Sequence, residues 1–242
     1  MISPRERLIV ALDVSSSAEA LKIVSSLGDH VQTYKVGMQL YTAEGPQIVR
    51  ELVASGKKVF LDLKYHDIPN TVAAAVREGA QLGVSMLTVH ASGGTNMLEA
   101  ATDAARSSNS KPHILAVTVL TSMNNDDLKE TGVPGLLADQ VLRLASTALS
   151  AGCDGVVSSA QELRNLRVKL GNKFLAVTPG VRPAGAPHGD QARVVTPAEA
   201  ISTGATYIVV GRPITAAPDP VAAVESVLRE LGSAELTGSR TK

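Results

Sequence analysis

Val59-Phe60-Leu61-Asp62-Leu63-Lys64-Tyr65-His66-Asp67-Ile68-Pro69-Asn70-Thr71-Val72 starts as an apolar strand and ends in a dense group of opposite charges. In an extended chain alternate side chains share a face, so Asp62 and Lys64 point the same way. Asp67 breaks that alternation, and Pro69 holds Ile68 out of the helical region, so the chain leaves the sheet there. Asp67 therefore falls on a strand-tip loop. A structural salt-bridge network is the plain alternative for such a cluster. Charges that follow Val-Phe-Leu must be desolvated, however, and buried ion pairs seldom improve stability over apolar residues. Three charges kept at that cost point to use rather than scaffolding.

Outward from this stretch, short apolar runs alternate with longer amphipathic ones. The strand candidates are Leu8–Asp13, Gln32–Gly37, Lys58–Leu63, Ser85–His90, Ile114–Leu120, Gly155–Ser158, Phe174–Thr178 and Tyr207–Gly211. Helical patterns lie between them. Ser16 with Glu19, and Thr196-Pro197-Ala198-Glu199, form capping boxes. Gly56 and Gly204 end helices, and Asn70 or Thr71 caps a helix over Val72–Leu82 that stops at Gly83. Strands and helices alternating at this spacing predict a single-domain (β/α)8 TIM barrel over residues 1–232. The polar segment 233–242 reads as a frayed tail. An open doubly wound sheet is the runner-up. Its Gly-rich first turn is missing, because Asp13-Val14-Ser15-Ser16-Ser17 stands there.

Composition agrees with that architecture. Of 242 residues, 44% are hydrophobic and only 2% aromatic, so the core must be aliphatic, as buried parallel strands require. The formal net charge is zero, which gives no basic field for nucleic acid. The first apolar run, Leu8 to Leu12, is too short for a targeting signal or a membrane span. The single Cys153 excludes an internal disulfide framework, suits a reducing cytosol and reads as a small core residue. A cytoplasmic protein is the expectation.

Barrels place their sites at the C-terminal ends of strands. The polar residues there are Asp13, Lys35, Asp62, Lys64, Asp67, His90, Thr121, Ser122, Arg182 and Arg212, with Pro179-Gly180-Val181 before Arg182. Gly211-Arg212-Pro213 follows an apolar run, and a glycine lets the backbone approach an anion. With Arg182 on the preceding loop, it predicts a phosphate site at loops seven and eight. The stretch from Thr178 to Thr196 is long for a βα connection and reads as an active-site lid, from which Gln191 either reaches the phosphate on closure or stands as an exposed loop residue. His66-Asp67 lacks further ligands at metal spacing, so no metal site is read there. His90 reads as a hydrogen-bonded packing residue.

On these residues the chain resembles the bacterial type of orotidine 5′-phosphate decarboxylases. The motifs are Ala11-Leu12-Asp13, Lys35-Val36-Gly37, Asp62 through Val72, Leu120-Thr121-Ser122, Thr178-Pro179-Gly180-Val181-Arg182, Asp190-Gln191-Ala192-Arg193 and Val210-Gly211-Arg212-Pro213-Ile214-Thr215. They occur in order from Leu8 to about Leu231, with no departure at a matched functional position. The resemblance implies decarboxylation of orotidine 5′-monophosphate to uridine 5′-monophosphate without metal or cofactor, the last step of de novo pyrimidine synthesis. It implies that Lys64 protonates the C6 carbanion, and that Lys35, Asp62, Lys64 and Asp67 form an alternating charged tetrad. Asp13 and Lys35 would hold ribose hydroxyls, and Thr121 and Ser122 the pyrimidine edge. Pro179 joins the substrate-binding set, and Gln191, Arg182, Gly211 and Arg212 would hold the phosphate. Asp67 and Thr71 would reach a neighbouring subunit's site, which implies an obligate homodimer with shared active sites.

Two other readings compete. Magnesium-dependent sugar-phosphate lyases and decarboxylases share the Asp-x-Lys-x-x-Asp strand, but Ile68-Pro69-Asn70-Thr71 favours the orotidylate enzyme. A non-catalytic nucleotide-sensing barrel would need neither Lys64 nor its carboxylates.

Overall fold

The computed structural model describes residues 2–183 and 194–238. Eight parallel strands close a barrel in chain order. They are β1 (Leu8–Ala11), β2 (Thr33–Gly37), β3 (Lys58–Tyr65), β4 (Met86–His90), β5 (His113–Val117), β6 (Gly155–Val157), β7 (Leu175–Thr178) and β8 (Tyr207–Val210). All eight expected strands are present, with ends shifted by one to three residues. The expected ends at Asp13, Leu120 and Gly211 overrun the ladder, because those residues already belong to the loops above it.

Strand alternation sorts the core into two layers. Ile9, Ala11, Phe60, Met86, Leu115, Val177 and Val209 pack together inside the barrel. Leu8, Val10, Tyr34, Val36, Leu61, Leu87 and Ile208 belong to the larger layer against the surrounding helices. Each strand is thus covered on both faces, which explains the continuous aliphatic runs.

Local signals account for the helix ends. The Ser16 hydroxyl accepts from the Glu19 N–H at the start of helix Ser17–Leu27. Thr196 and Glu199 close a capping box on helix Pro197–Ser202. The helix after β3 differs from expectation. It begins at Pro69 with Ile68 as its cap, upstream of Asn70 and Thr71. Proline at the first helical position lacks only an N–H that has no helical partner there, so Pro69 starts the helix and does not merely end the strand. The final helix, Pro220–Gly238, runs on into the segment expected to fray at Ser233.

The N-terminal face of the barrel is tied by polar contacts. Arg167 donates to the carbonyls of Gly204 and Phe174, and its guanidinium lies 4.1 Å from the Phe174 ring centroid. His113 opens β5, and its Nδ1 lies 3.4 Å from Asp154 Oδ1, while Asp154 Oδ2 accepts the Ile114 N–H at 2.8 Å. The bond to Asp154 raises the His113 pKa above 6.5 against the opposing effect of burial. Burial alone would raise the Asp154 pKa. The bonds from His113 and Ile114 outweigh it and hold the carboxyl low. The His113 contribution is therefore complete below its unfolded pKa near 6.5 and fades as pH rises through the higher folded value. Both partners are partly exposed, so we expect less than about 1 kcal/mol after solvent screening. Urea midpoints of wild type and His113→Gln should differ at pH 5.5 and converge at alkaline pH. A gap independent of pH would contradict this.

Candidate active site

The strand tips surround a cavity of about 560 Å³. Its volume suits a nucleotide-sized ligand. Ala11, Phe60, Val117, Val157 and Val209 line its apolar part. Asp13, Lys35, Asp62 and Lys64 line one side, and Pro179, Arg182, Gly211 and Arg212 also border it. Thr121 lies on the wall as well, as does Gln39, which sequence reasoning missed. Gln39 lies in the first turn of helix Met38–Glu44, which follows β2, and its amide donates to the Ser15 hydroxyl at 2.8 Å. Its place just past a strand tip was the only signal that could have found it.

The charges alternate along the wall. Lys35 Nζ lies 2.7 Å from Asp13 Oδ1 and 3.9 Å from Asp62 Oδ2, and Lys64 Nζ lies 2.9 Å from Asp62 Oδ1. The Asp62 side chain is 14% exposed, which strengthens its coupling to the two ammonium groups. Gly37 makes room for this row. A Cβ built there would meet Lys35 Nζ at 2.7 Å, so a side chain would push the ammonium off Asp13.

Lys64 and Asp62 do share a face, but the strand between them is not regular. Lys64 has φ 53°, a left-handed conformation uncommon for a residue with a side chain. The pairing of β3 with β4 shifts between Leu61 and Tyr65, so Lys64 sits in a bulge. Next to it, His66 and His90 stack with ring centroids 5.3 Å apart. His90 Nδ1 lies 2.6 Å from the Ser92 hydroxyl. Burial lowers the His90 pKa, with further contributions from His66 and Lys64, which favours a neutral ring.

Beyond the tip of β7, Arg182 is only 8% exposed, and its Nε has no hydrogen-bond partner among the described residues. Burial and the neighbouring Arg212 both lower its pKa. Two guanidinium groups held together, one with an orphaned buried donor, form a receptor for an anion.

Three expected residues, Asp67, Thr71 and Ser122, do not line this cavity. Asp67 is exposed and absent from the wall, and its carboxylate accepts a local bond from the Ile68 N–H at 2.7 Å. The expected tetrad is therefore not closed within one chain, where Asp13 supplies the second carboxylate beside Lys35. Thr71 is exposed on the first turn of helix Pro69–Gln81. Ser122 borders a separate groove with Met123 and Asn124. Gln191 and residues 184–193, where the lid was expected, lie outside the described residues. Among the described residues no three His, Cys, Asp or Glu side chains converge as metal ligands, and no helix is long and apolar enough to cross a membrane.

A (β/α)8 barrel with opposed charges at the third strand tip and paired arginines after the seventh and eighth belongs to the class of barrel proteins whose strand-tip site suits an anionic ligand. The chain belongs to the orotidine 5′-phosphate decarboxylase / HUMPS family, whose model matches residues 6–227. An orotidine 5′-phosphate decarboxylase of Afipia carboxidovorans is 52% identical over 232 residues, covering 96% of this chain and 97% of that protein. One from Moorella thermoacetica is 50% identical over 233 residues, covering 94% and 92%. The crystal structure of the Lactobacillus acidophilus orotidine 5′-phosphate decarboxylase superposes with a TM-score of 0.83 at 43% identity, covering 93% of this chain and 98% of that one.

Proposed function

We infer that this chain decarboxylates orotidine 5′-monophosphate to uridine 5′-monophosphate and carbon dioxide, the closing step of pyrimidine nucleotide synthesis. The row Asp13–Lys35–Asp62–Lys64, facing a cavity that ends at two arginines, carries this reading. Loss of carbon dioxide from a ring carbon without an electron sink leaves a localised carbanion. Lys64, already held as an ammonium beside Asp62, stabilises that charge and donates the proton to C6. Asp62 orients Lys64 and faces Lys35. A substrate carboxylate about 4 Å from it would be repelled by roughly 4 kcal/mol at an effective dielectric of 20, a strain relieved as carbon dioxide leaves. Asp13 and Lys35 hold ribose hydroxyls, and Thr121 meets the pyrimidine edge. Arg182, Gly211, Arg212 and, from outside the described residues, Gln191 bind the phosphate. Loss of orotidylate absorbance in EDTA tests the assignment. Turnover that vanishes with chelation would favour a metal-dependent lyase instead.

The enzyme works as a cytoplasmic homodimer in which Asp67 and Thr71 complete the partner's site. Their exposure supports this, as does that of neighbouring Ile68, which is 67% exposed. Subunits carrying Lys64→Ala or Asp67→Ala are each inactive in this scheme. In a mixed dimer one site carries both lesions and the other carries neither. After exchange at equal amounts about half the dimers are mixed, so roughly a quarter of wild-type sites should return. No recovery, with heterodimers seen by native mass spectrometry, would mean that Asp67 serves its own subunit.

A further inference from the structure

We propose that Thr88 is a positioning residue that sets the aim of the Lys64 ammonium through a hydroxyl clamp on β4; the proposal rests on Lys64 being the proton donor. Leu61 pairs with Leu87 and Tyr65 with Val89, so Asp62, Leu63 and Lys64 all stand opposite the single residue Thr88. Two extra residues in β3 displace the ladder there, and the Lys64 N–H turns to a side chain. It donates to Thr88 Oγ1 at 2.8 Å. The same hydroxyl has one proton, and it goes to Asp62 Oδ1 at 3.0 Å. That oxygen in turn accepts from Lys64 Nζ at 2.9 Å.

The contacts close a loop that begins and ends on Lys64. Its backbone is held in the left-handed region by an acceptor, and its ammonium is held by the carboxylate that this acceptor orients. Thr88 has no exposed surface, so water cannot replace the hydroxyl without displacing the wall. Each atom of the clamp is used: one lone pair for the Lys64 N–H, one proton for Asp62. Losing it frees the φ 53° bulge and one of the bonds that fixes the carboxylate between Lys64 and Lys35. Thr88 touches no reacting atom. Its effect therefore falls on the rate of the chemical step and not on the binding of the nucleotide, whose phosphate is held elsewhere.

The test compares Thr88→Val, Thr88→Ala and Thr88→Ser with wild type on orotidine 5′-monophosphate. Thr88→Val and Thr88→Ala should lower kcat about 10- to 100-fold, the scale of one hydrogen bond to a charged group, with KM within about threefold. Thr88→Ser, which keeps the hydroxyl, should stay within about threefold of wild type in kcat. Hydrogen exchange at the Lys64 amide, which needs no substrate, should be faster in the valine and alanine variants by about tenfold or more and close to wild type in the serine variant. If Thr88→Val does not fold, Thr88→Ala carries the same expectations. A hydroxyl-free variant that keeps wild-type kcat, or a serine variant as impaired as alanine, would overturn the proposal, as would an unchanged Lys64 amide. A wild-type enzyme that leaves the nucleotide intact would sink the decarboxylase reading instead, and the amide exchange would still decide the clamp.

Discussion

Lys64→Ala should abolish almost all turnover, with kcat reduced by about 10⁴-fold or more, while uridine 5′-monophosphate still binds within about tenfold of wild type. The separation follows from the geometry. The ammonium lies 2.9 Å from Asp62 and belongs to β3, whereas the arginines follow β7 and β8. In the proposed mechanism, removing Lys64 takes away both the charge that stabilises the carbanion and the proton that ends the reaction. It also leaves Asp62 with Lys35 as its nearest cation, 3.9 Å away, so the substrate carboxylate would meet a less compensated neighbour. The loss of the stabilising charge and of the proton appears only once the carbon–carbon bond breaks. Isothermal titration with the product and a single-turnover assay with substrate separate the two effects. Activity within tenfold of wild type would remove Lys64 from its role as the acid.

Arg212→Ala should lower kcat/KM for orotidine 5′-monophosphate by about 10²- to 10³-fold, the loss expected when a charge-assisted contact to phosphate is removed from a closed site. Arg182 stays in place in that variant, and with Arg212 gone it loses the like charge that lowers its pKa. The fold should therefore not suffer. The discriminating substrate is orotidine, which has no phosphate. Wild type and Arg212→Ala should turn it over at similar slow rates, because the phosphate contact is worthless where there is no phosphate. An equal loss on both substrates would mean that Arg212 shapes the cavity and does not bind the anion.

The sequence revealed the barrel because its signal is local and repeated. Runs such as Leu8–Leu12 and Val59–Leu61 are buried on both faces, and that burial is written as continuous apolar stretches. Asp62 and Lys64 were legible for a similar reason, since residues two apart in a strand share a face, whereas Asp13 and Lys35 stood out only as polar residues at strand tips. What escaped was set by contacts between distant segments. The bulge at Lys64 depends on a pairing shift against β4, and no glycine marks it. Thr88 lies 24 positions from Lys64, and nothing in Leu87-Thr88-Val89 distinguishes its hydroxyl from that of any strand threonine. Pro69 carried two meanings, strand end and helix start, and only the second governs Asn70 and Thr71. Asp67 was grouped with the catalytic charges by proximity in sequence, and the family resemblance already assigned it to a neighbouring subunit's site. In the chain it stands outside the cavity, and its place with them becomes a question about two subunits.

Decarboxylation at C6 by a lysine acid is tested most directly by proton NMR of the reaction run in deuterium oxide. Wild-type enzyme should convert orotidine 5′-monophosphate to uridine 5′-monophosphate carrying one deuterium at C6, with one carbon dioxide released per nucleotide, and Lys64→Ala should give no product over the same interval. Unchanged orotidylate with the wild-type enzyme, or deuterated product formed equally fast by Lys64→Ala, would contradict the account.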